Sequence, residues 1–200
     1  MAPKPGPVPP ADFATRDLPV ETVLRHATFV RIHRSTLDPL YFGRAGDNRF
    51  DDPEGRYGVC YAAASLEGAF AETCLREVGA TLVPLSRLAG RSVTVLTAAA
   101  KLRLVQLHGP GLARLGATAA VSSGTYDVSQ PWSRAIHEHP SNVDGIVYRS
   151  NHDNGELCVA LFERCRGRLR PGPGTLLTED RARLAVSVRP PPPSLVGAGR

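Results

Sequence analysis

Hydrophobic and polar positions along the chain predict a domain built from both strands and helices. Short apolar runs and two-residue alternation are typical of strands, whereas Leu66, Phe70, Cys74 and Val78 recur at helical spacing after Ser65, a good N-cap residue. The predicted strands span residues 28–34, 59–63, 92–96, 102–107, 146–150, 157–162 and 183–188. The predicted helices span residues 19–26, 66–78, 112–115 and 129–139, with Pro131 in the first turn of the last. The order has no regular βαβ rhythm, which favours an α+β fold with a mixed, largely antiparallel sheet and flanking helices.

Proline-rich stretches at both ends predict extended tails around one folded domain. Residues 1–17 begin MAPKPGPVPP, and residues 189–200 read RPPPPSLVGAGR. Residues 18–188 are then the domain, and a chain of 200 residues with 42% hydrophobic composition has enough apolar side chains for one core. Residues 87–125 carry no motif that indicates a role.

The charge balance favours no nucleic-acid partner. The net charge is +5, but it comes from 24 basic residues interleaved with 19 acidic ones, without a compact basic run. An anionic small-molecule substrate fits the same surplus. A non-catalytic basic module that binds a nucleotide or nucleic acid therefore stays open as an alternative to an enzyme.

Cysteine usage and hydropathy indicate a soluble, cytoplasmic protein. The four cysteines form no CxxC pair, and the HEH at 137–139 is not HExxH, so no metal site is expected. The N-terminus has no apolar signal core, and no apolar run reaches the roughly 20 residues that span a bilayer.

Five polar side chains stand out from the predicted elements. Arg31 lies on the polar face of its predicted strand, and Arg49 lies near the end of a loop that leads into a turn-rich segment. Tyr61 lies on strand 59–63, Glu72 falls opposite the apolar side of its helix, and Ser150 ends a strand. Each residue type also has an ordinary alternative: a surface ion pair for the arginines, a core position for the tyrosine, a solvated glutamate, and a serine that bonds its own turn.

Four motifs in order give these residues a common context. They are FVRIHR with Arg31, NRF at 48–50, VCYAAASLEGAFAE with Tyr61 and Glu72, and DGIVYRSNHDNGELCVALF with Ser150. Together they span residues 29–162 and resemble the RES domain family, which is named for an arginine, a glutamate and a serine. The family is found as the toxin of Xre-RES toxin–antitoxin pairs. The resemblance implies a fold similar to ADP-ribosyltransferases, with a split sheet and a NAD-binding cleft.

The resemblance also implies an activity and partners. Members of the family degrade NAD at the nicotinamide–ribose bond by hydrolysis or phosphorolysis, which arrests growth unless an antitoxin intervenes. NAD is then a substrate rather than a cofactor, and inorganic phosphate is a candidate co-substrate. Transfer of ADP-ribose to a protein is the alternative reaction. A Xre-type antitoxin is the expected partner, and a homodimer or a hetero-oligomer with the antitoxin is left open.

By the same resemblance, Arg31, Glu72 and Ser150 form the named triad, and Arg49 and Tyr61 are further cleft residues. A carboxylate such as Glu72 can stabilise the ribosyl cation that forms when the bond breaks. Guanidinium groups match two phosphate oxygens at once, so the arginines suit the pyrophosphate. Tyr61 could stack on nicotinamide or ribose, and Ser150 is expected to position Glu72 or the ribose rather than to act as a nucleophile.

Overall fold

Short strands separated by turns make up much of the chain. In a computed structural model, residues 8–75 and 83–179 are described, and they form one α+β domain. The strands are β1 (Val20–Val23), β2 (Thr28–Arg34), β3 (Val59–Ala63), β4 (Arg91–Ala98), β5 (Leu102–Leu107), β6 (Gly145–Arg149), β7 (Leu157–Phe162), β8 (Leu169–Pro171) and β9 (Thr175–Leu176). The helices are α1 (Leu66–Cys74), α2 (Leu85–Leu88), α3 (Pro110–Leu115), α4 (Ala120–Ser123) and α5 (Tyr126–Glu138), with 3-10 turns at Phe13–Thr15 and Glu163–Arg168.

The strands pair into one mixed sheet in the order β1-β5-β6-β7-β3-β2-β4-β8, with β9 also on β4. Among the described strands, β5 and β6 run parallel and the other pairs run antiparallel. The prediction of a mixed, largely antiparallel sheet is therefore confirmed. β2 pairs with β4 along its whole length but meets β3 only through Val30 and Ala63, so the sheet splits between β2 and β3.

Most predicted elements are present with small shifts of their ends. Strands 28–34, 59–63, 102–107 and 157–162 have the predicted bounds, and Ser65 caps α1 by accepting the N–H of Gly68 at 2.9 Å. The predicted end of that helix at residue 78 and the predicted strand 183–188 lie outside the described residues. Strands β8 and β9 were not predicted, because two or three residues are too few to show alternation.

Two helix predictions are wrong. Residues 20–23 form strand β1, which pairs antiparallel with β5, for example Val20 with Val105. Three of these four residues are β-branched, which favours a strand once a partner edge is present. Helix α5 begins at Tyr126, so Pro131 lies inside the helix and not in its first turn, with its ring exposed to solvent.

The core lies on both sides of the sheet, because successive residues of a strand face opposite ways. On β6, Ile146 and Tyr148 face the side covered by α1 and α5, where Phe70 and Trp132 are fully buried. Val147 faces the other side. The central strands are thus apolar on both faces. No helix within residues 8–75 and 83–179 has the length and apolar character needed to cross a membrane.

Candidate active site

Helix α1 brings Glu72 to the turn that follows β6. The Ser150 hydroxyl donates to Glu72 Oε1 at 2.6 Å, and the backbone N–H of Asn151 donates to the same oxygen at 3.0 Å. Ser150 is only 4% exposed. α1 lies against β2, β3 and β7, and β7 pairs with β6, so the sheet itself sets this contact. Two of the predicted triad residues therefore meet, although they are far apart in sequence.

A cleft of about 450 Å³ opens beside this pair, within the roughly 300–1,000 Å³ of ordinary small-molecule pockets. It lies where β2 and β3 separate, and four of the five predicted site residues line it: Arg31, Arg49, Tyr61 and Glu72. Ser150 does not line this cleft, but it directly precedes Asn151, which does. Predicted residues from four distant segments therefore share one site.

Tyr61 forms part of the cleft wall, and its hydroxyl is anchored in the protein. The hydroxyl donates to Asp51 Oδ1 at 2.9 Å and accepts the N–H of Phe50 at 2.9 Å. Burial, reinforced by the negative charge of Asp51, raises the pKa of Tyr61 well above its usual range. Tyr61 therefore stays a neutral phenol whose partly buried ring borders the cleft.

Arg49 lies at the cleft rim on a loop held by helix α5. Its Nη1 donates to the carbonyl of Gly124, and its guanidinium carbon lies 5.5 Å from the centre of the Tyr126 ring, a cation–π distance. The loop is held because the Gln130 side chain donates to the carbonyl of Gly46 at 2.8 Å. Arg49 is thus a partly exposed cation placed beside an exposed aromatic ring.

Arg31 is buried more deeply than its strand pattern predicted. Arg31 was expected on a polar strand face, but it is only 9% exposed, and Phe29 and His33 at the alternate positions of the strand are buried as well. Its Nη2 donates to the carbonyl of Tyr41 at 2.9 Å, and its Nη1 contacts Cys60 Sγ. The polar-face prediction is wrong because β2 is covered on both sides, and alternation cannot show what covers a face.

The small residues of α1 do not all make room for a ligand. Ala69 lines the cleft, whereas Gly68 is packed so closely that a Cβ there would lie 3.0 Å from Glu156 Oε2 and 3.1 Å from Ala63 Cβ. Gly68 lets α1 approach β3. Gly68 therefore serves helix–strand packing and adds no space beside Glu72.

His152 and His137 have different surroundings. His152 lines the cleft, but His137 stacks on Tyr57 with ring centroids 3.8 Å apart. Within residues 8–75 and 83–179, no group of three or more His, Cys, Asp or Glu side chains is arranged to hold a metal ion.

Several residues of the site were not predicted from the sequence. Asp51, Tyr126, Tyr148 and Asn151 belong to the site by contact or by lining. Burial, together with the charge of Glu72, raises the pKa of Tyr148 well above its usual range. Asp51 could have been noticed because it directly follows NRF, yet its acidic neighbour Asp52 made both look like turn residues.

Known proteins resemble this chain at three levels. Residues 28–178, more than half of the chain, match the model of the RES domain family. Over 69 residues the chain is 36% identical to a Sinorhizobium fredii protein described as "Probable toxin y4kH"; the match covers 34% of this chain and 54%, about half, of that protein. The fold matches a chain in the crystal structure of the M. tuberculosis MbcT-MbcA toxin-antitoxin complex with a TM-score of 0.60 and 17% identity, over 80% of this chain and 92% of that one.

Proposed function

The chain belongs to the RES domain family, and on that premise we propose that it is an enzyme that destroys NAD by cleaving the nicotinamide–ribose bond. The observation that carries the proposal is a carboxylate held in place at a cleft. Glu72 accepts hydrogen bonds from Ser150 and Asn151 beside a cavity that Tyr61 and Arg49 also line. A fixed anion next to an aromatic wall and a cation suits a substrate with a cationic ring and a pyrophosphate.

The reaction breaks the bond between ribose C1′ and the nicotinamide ring nitrogen. Both bonding electrons pass to that nitrogen, so the pyridinium leaves as neutral nicotinamide and the ribose becomes an oxocarbenium-like cation. The Glu72 carboxylate stabilises this cation, and it needs no reorganisation because Ser150 and Asn151 already fix it. Water attacking C1′ gives ADP-ribose and a proton, and phosphate gives ADP-ribose 1-phosphate.

The remaining cleft residues bind and orient the substrate. Tyr61 forms the wall against which the nicotinamide lies, and Arg49 at the rim takes the pyrophosphate. Arg31 already donates from Nη2 to the Tyr41 carbonyl and contacts Cys60 through Nη1. Each Nη carries a second N–H, so a phosphate contact by Arg31 uses one of these or Nε.

Growth arrest and a protein partner belong to the same proposal. A NAD-consuming enzyme harms the cell that makes it, so its cleft must be covered when growth continues. The similar fold in the M. tuberculosis complex belongs to a toxin–antitoxin pair. We therefore expect expression of this chain to stop growth, and co-expression of the adjacent open reading frame to restore it.

Nicotinamide release from NAD by the purified full chain tests the activity. Glu72→Gln should lower turnover by about 100-fold or more, because it removes the charge that stabilises the cation. Glu67→Gln removes a carboxylate from the same helix outside the cleft lining and should leave turnover unchanged. Absence of nicotinamide release with and without phosphate contradicts the proposal, and label from NAD on a protein indicates ADP-ribose transfer instead.

A further inference from the structure

A buried carboxylate lies behind the aromatic wall of the cleft. Asp51 is 1% exposed, and its two oxygens have different partners. Oδ1 accepts the Tyr61 hydroxyl at 2.9 Å, while Oδ2 accepts the backbone N–H of Asn48 at 3.0 Å and its side-chain amide at 2.9 Å. All three partners are donors, which is the arrangement that suits a carboxylate anion.

The neighbouring residue shows what is unusual about Asp51. Asp52 is also fully buried, but its Oδ1 accepts hydrogen bonds from Nε and Nη2 of Arg134 at 2.9 and 2.5 Å. A guanidinium therefore balances its charge. The hydrogen bonds to Asp51 among the described residues come from neutral groups. The negative charge of Asp51 therefore acts strongly on its partners, and the Tyr61 phenol is the partner that borders the cleft.

A phenol that donates to a carboxylate gains electron density in its ring. Hydrogen bonds to charged groups are the stronger ones, and in a low-dielectric surrounding they polarise the donor. The face of an aromatic ring attracts cations because it is electron-rich. A Tyr61 ring polarised by Asp51 should therefore attract a cation more than an ordinary tyrosine does.

The two redox forms of the substrate differ in this property. The nicotinamide of NAD is a pyridinium cation, whereas the dihydropyridine of NADH is neutral, and the rest of the two molecules is the same. We propose that Asp51 is a positioning and specificity residue that acts through Tyr61, so that the cleft binds the cationic ring of NAD in preference to the neutral ring of NADH. This inference rests on the proposed function, since it takes NAD as the substrate and Tyr61 as the surface for its nicotinamide.

Calorimetric binding of NAD and of NADH to the full chain carrying Glu72→Gln, which blocks turnover, tests the inference. Adding Asp51→Asn should weaken NAD binding about threefold to tenfold and leave NADH binding within about twofold, because only the cationic ring responds to the lost charge. Adding Asp52→Asn is the matched control: it removes a buried carboxylate from the same loop and should leave the ratio of the two dissociation constants unchanged.

A second variant serves if Asp51→Asn does not fold. Tyr61→Phe keeps the ring and removes the hydroxyl through which Asp51 acts, so it should produce the same selective loss. Where Asp51→Asn does fold, adding it to Tyr61→Phe should cause no further selective loss, since the connection is already broken.

If Asp51→Asn or Tyr61→Phe leaves the ratio of the NAD and NADH dissociation constants unchanged, because both ligands bind equally more weakly or neither is affected, the inference is overturned. An absence of NAD binding by the Glu72→Gln chain overturns it as well. Nicotinamide release by the chain without substitutions tests the proposed function separately. Release together with an unchanged NAD to NADH ratio rejects only the role of Asp51. Selective NAD binding without release rejects only the cleavage.

Discussion

The direction of the Ser150 hydroxyl follows from the turn that contains it. The backbone N–H groups of His152 and Asp153 donate to Ser150 Oγ at 3.1 and 3.2 Å, so its lone pairs are occupied and its hydrogen points to Glu72. Ser150→Ala should therefore lower kcat for NAD about tenfold to 100-fold with little change in KM, because it removes a hydrogen bond to a charged group.

Steady-state kinetics of nicotinamide release check this prediction. Ser86→Ala is a suitable control, since Ser86 is exposed on α2 and does not line the cleft. If Ser150→Ala keeps the wild-type kcat, the serine only stabilises its turn, and its hydrogen bond is not needed to hold Glu72.

Residues with distinctive chemistry are predictable from the sequence, whereas the partners that orient them are not. Glu72, Tyr61 and Arg49 could be named because their motifs resemble a family. The hydrogen bond from Tyr61 to Asp51 could not be predicted, since it joins a strand to a loop whose path depends on helix α5. Arg31 shows the same limit. The alternation of β2 predicts which face Arg31 is on, but it does not predict which residues pack over that face.

Local sequence patterns predicted the strands best where the strand residues are mainly apolar or β-branched. β2, β3, β5 and β7 are short runs rich in β-branched or apolar residues, and each has the predicted bounds. β1 was predicted as a helix because four residues at the end of a proline-rich tail show no clear period. Its strand conformation comes from pairing with β5, which is a tertiary contact and leaves no local signal.

The end of helix α5 should make stability depend on pH. The His137 ring stacks on Tyr57 at 3.8 Å and 9° and meets the edge of Phe162 at 5.0 Å. Burial, assisted by the positive charge of Arg164, lowers the pKa of His137 to about 4. The unfolded chain binds a proton near pH 6.5 and the folded chain does not, so His137 contributes full stability above pH 6.5 and loses it as pH falls toward 4.

Urea unfolding at pH 7 and pH 4.5, compared between the wild-type chain and His137→Phe, measures this contribution. Between pH 7 and pH 4.5, the free energy of unfolding should fall by about 1–2 kcal/mol more for the wild-type chain than for His137→Phe. The difference stays this small because His137 is only partly buried and solvent weakens the effect. Carboxylates titrate in both chains and cancel in the difference. An equal fall in the two chains contradicts the assignment to His137.

The split in the sheet explains why one site draws on so much of the chain. β2 and β3 share a single residue pair, and the cleft opens where they separate. One wall comes from Tyr61 and Glu72, and the turn after β6 adds Asn151 to the lining and holds Glu72 through Ser150. Sequence patterns identify these segments, but their meeting depends on β3, β7 and β6 pairing in that order, which no local pattern encodes.

A ligand that bridges these segments should stabilise the whole domain. If NAD occupies the cleft as proposed, it contacts parts of the chain that separate on unfolding, so it binds the folded state and not the unfolded one. At a concentration of 100 times its Kd, a ligand adds about 2.7 kcal/mol to the free energy of unfolding. For a domain of this size that corresponds to a rise in Tm of about 5–10 °C.

Thermal unfolding of the Glu72→Gln chain with and without NAD measures the rise while turnover is blocked. Adding Arg49→Ala should reduce the rise at the same NAD concentration, because the rim cation for the pyrophosphate is lost. Adding Arg114→Ala removes a cation from α3, outside the cleft lining, and should not reduce it. A Tm that NAD leaves unchanged even at high concentration contradicts binding of the dinucleotide in the cleft.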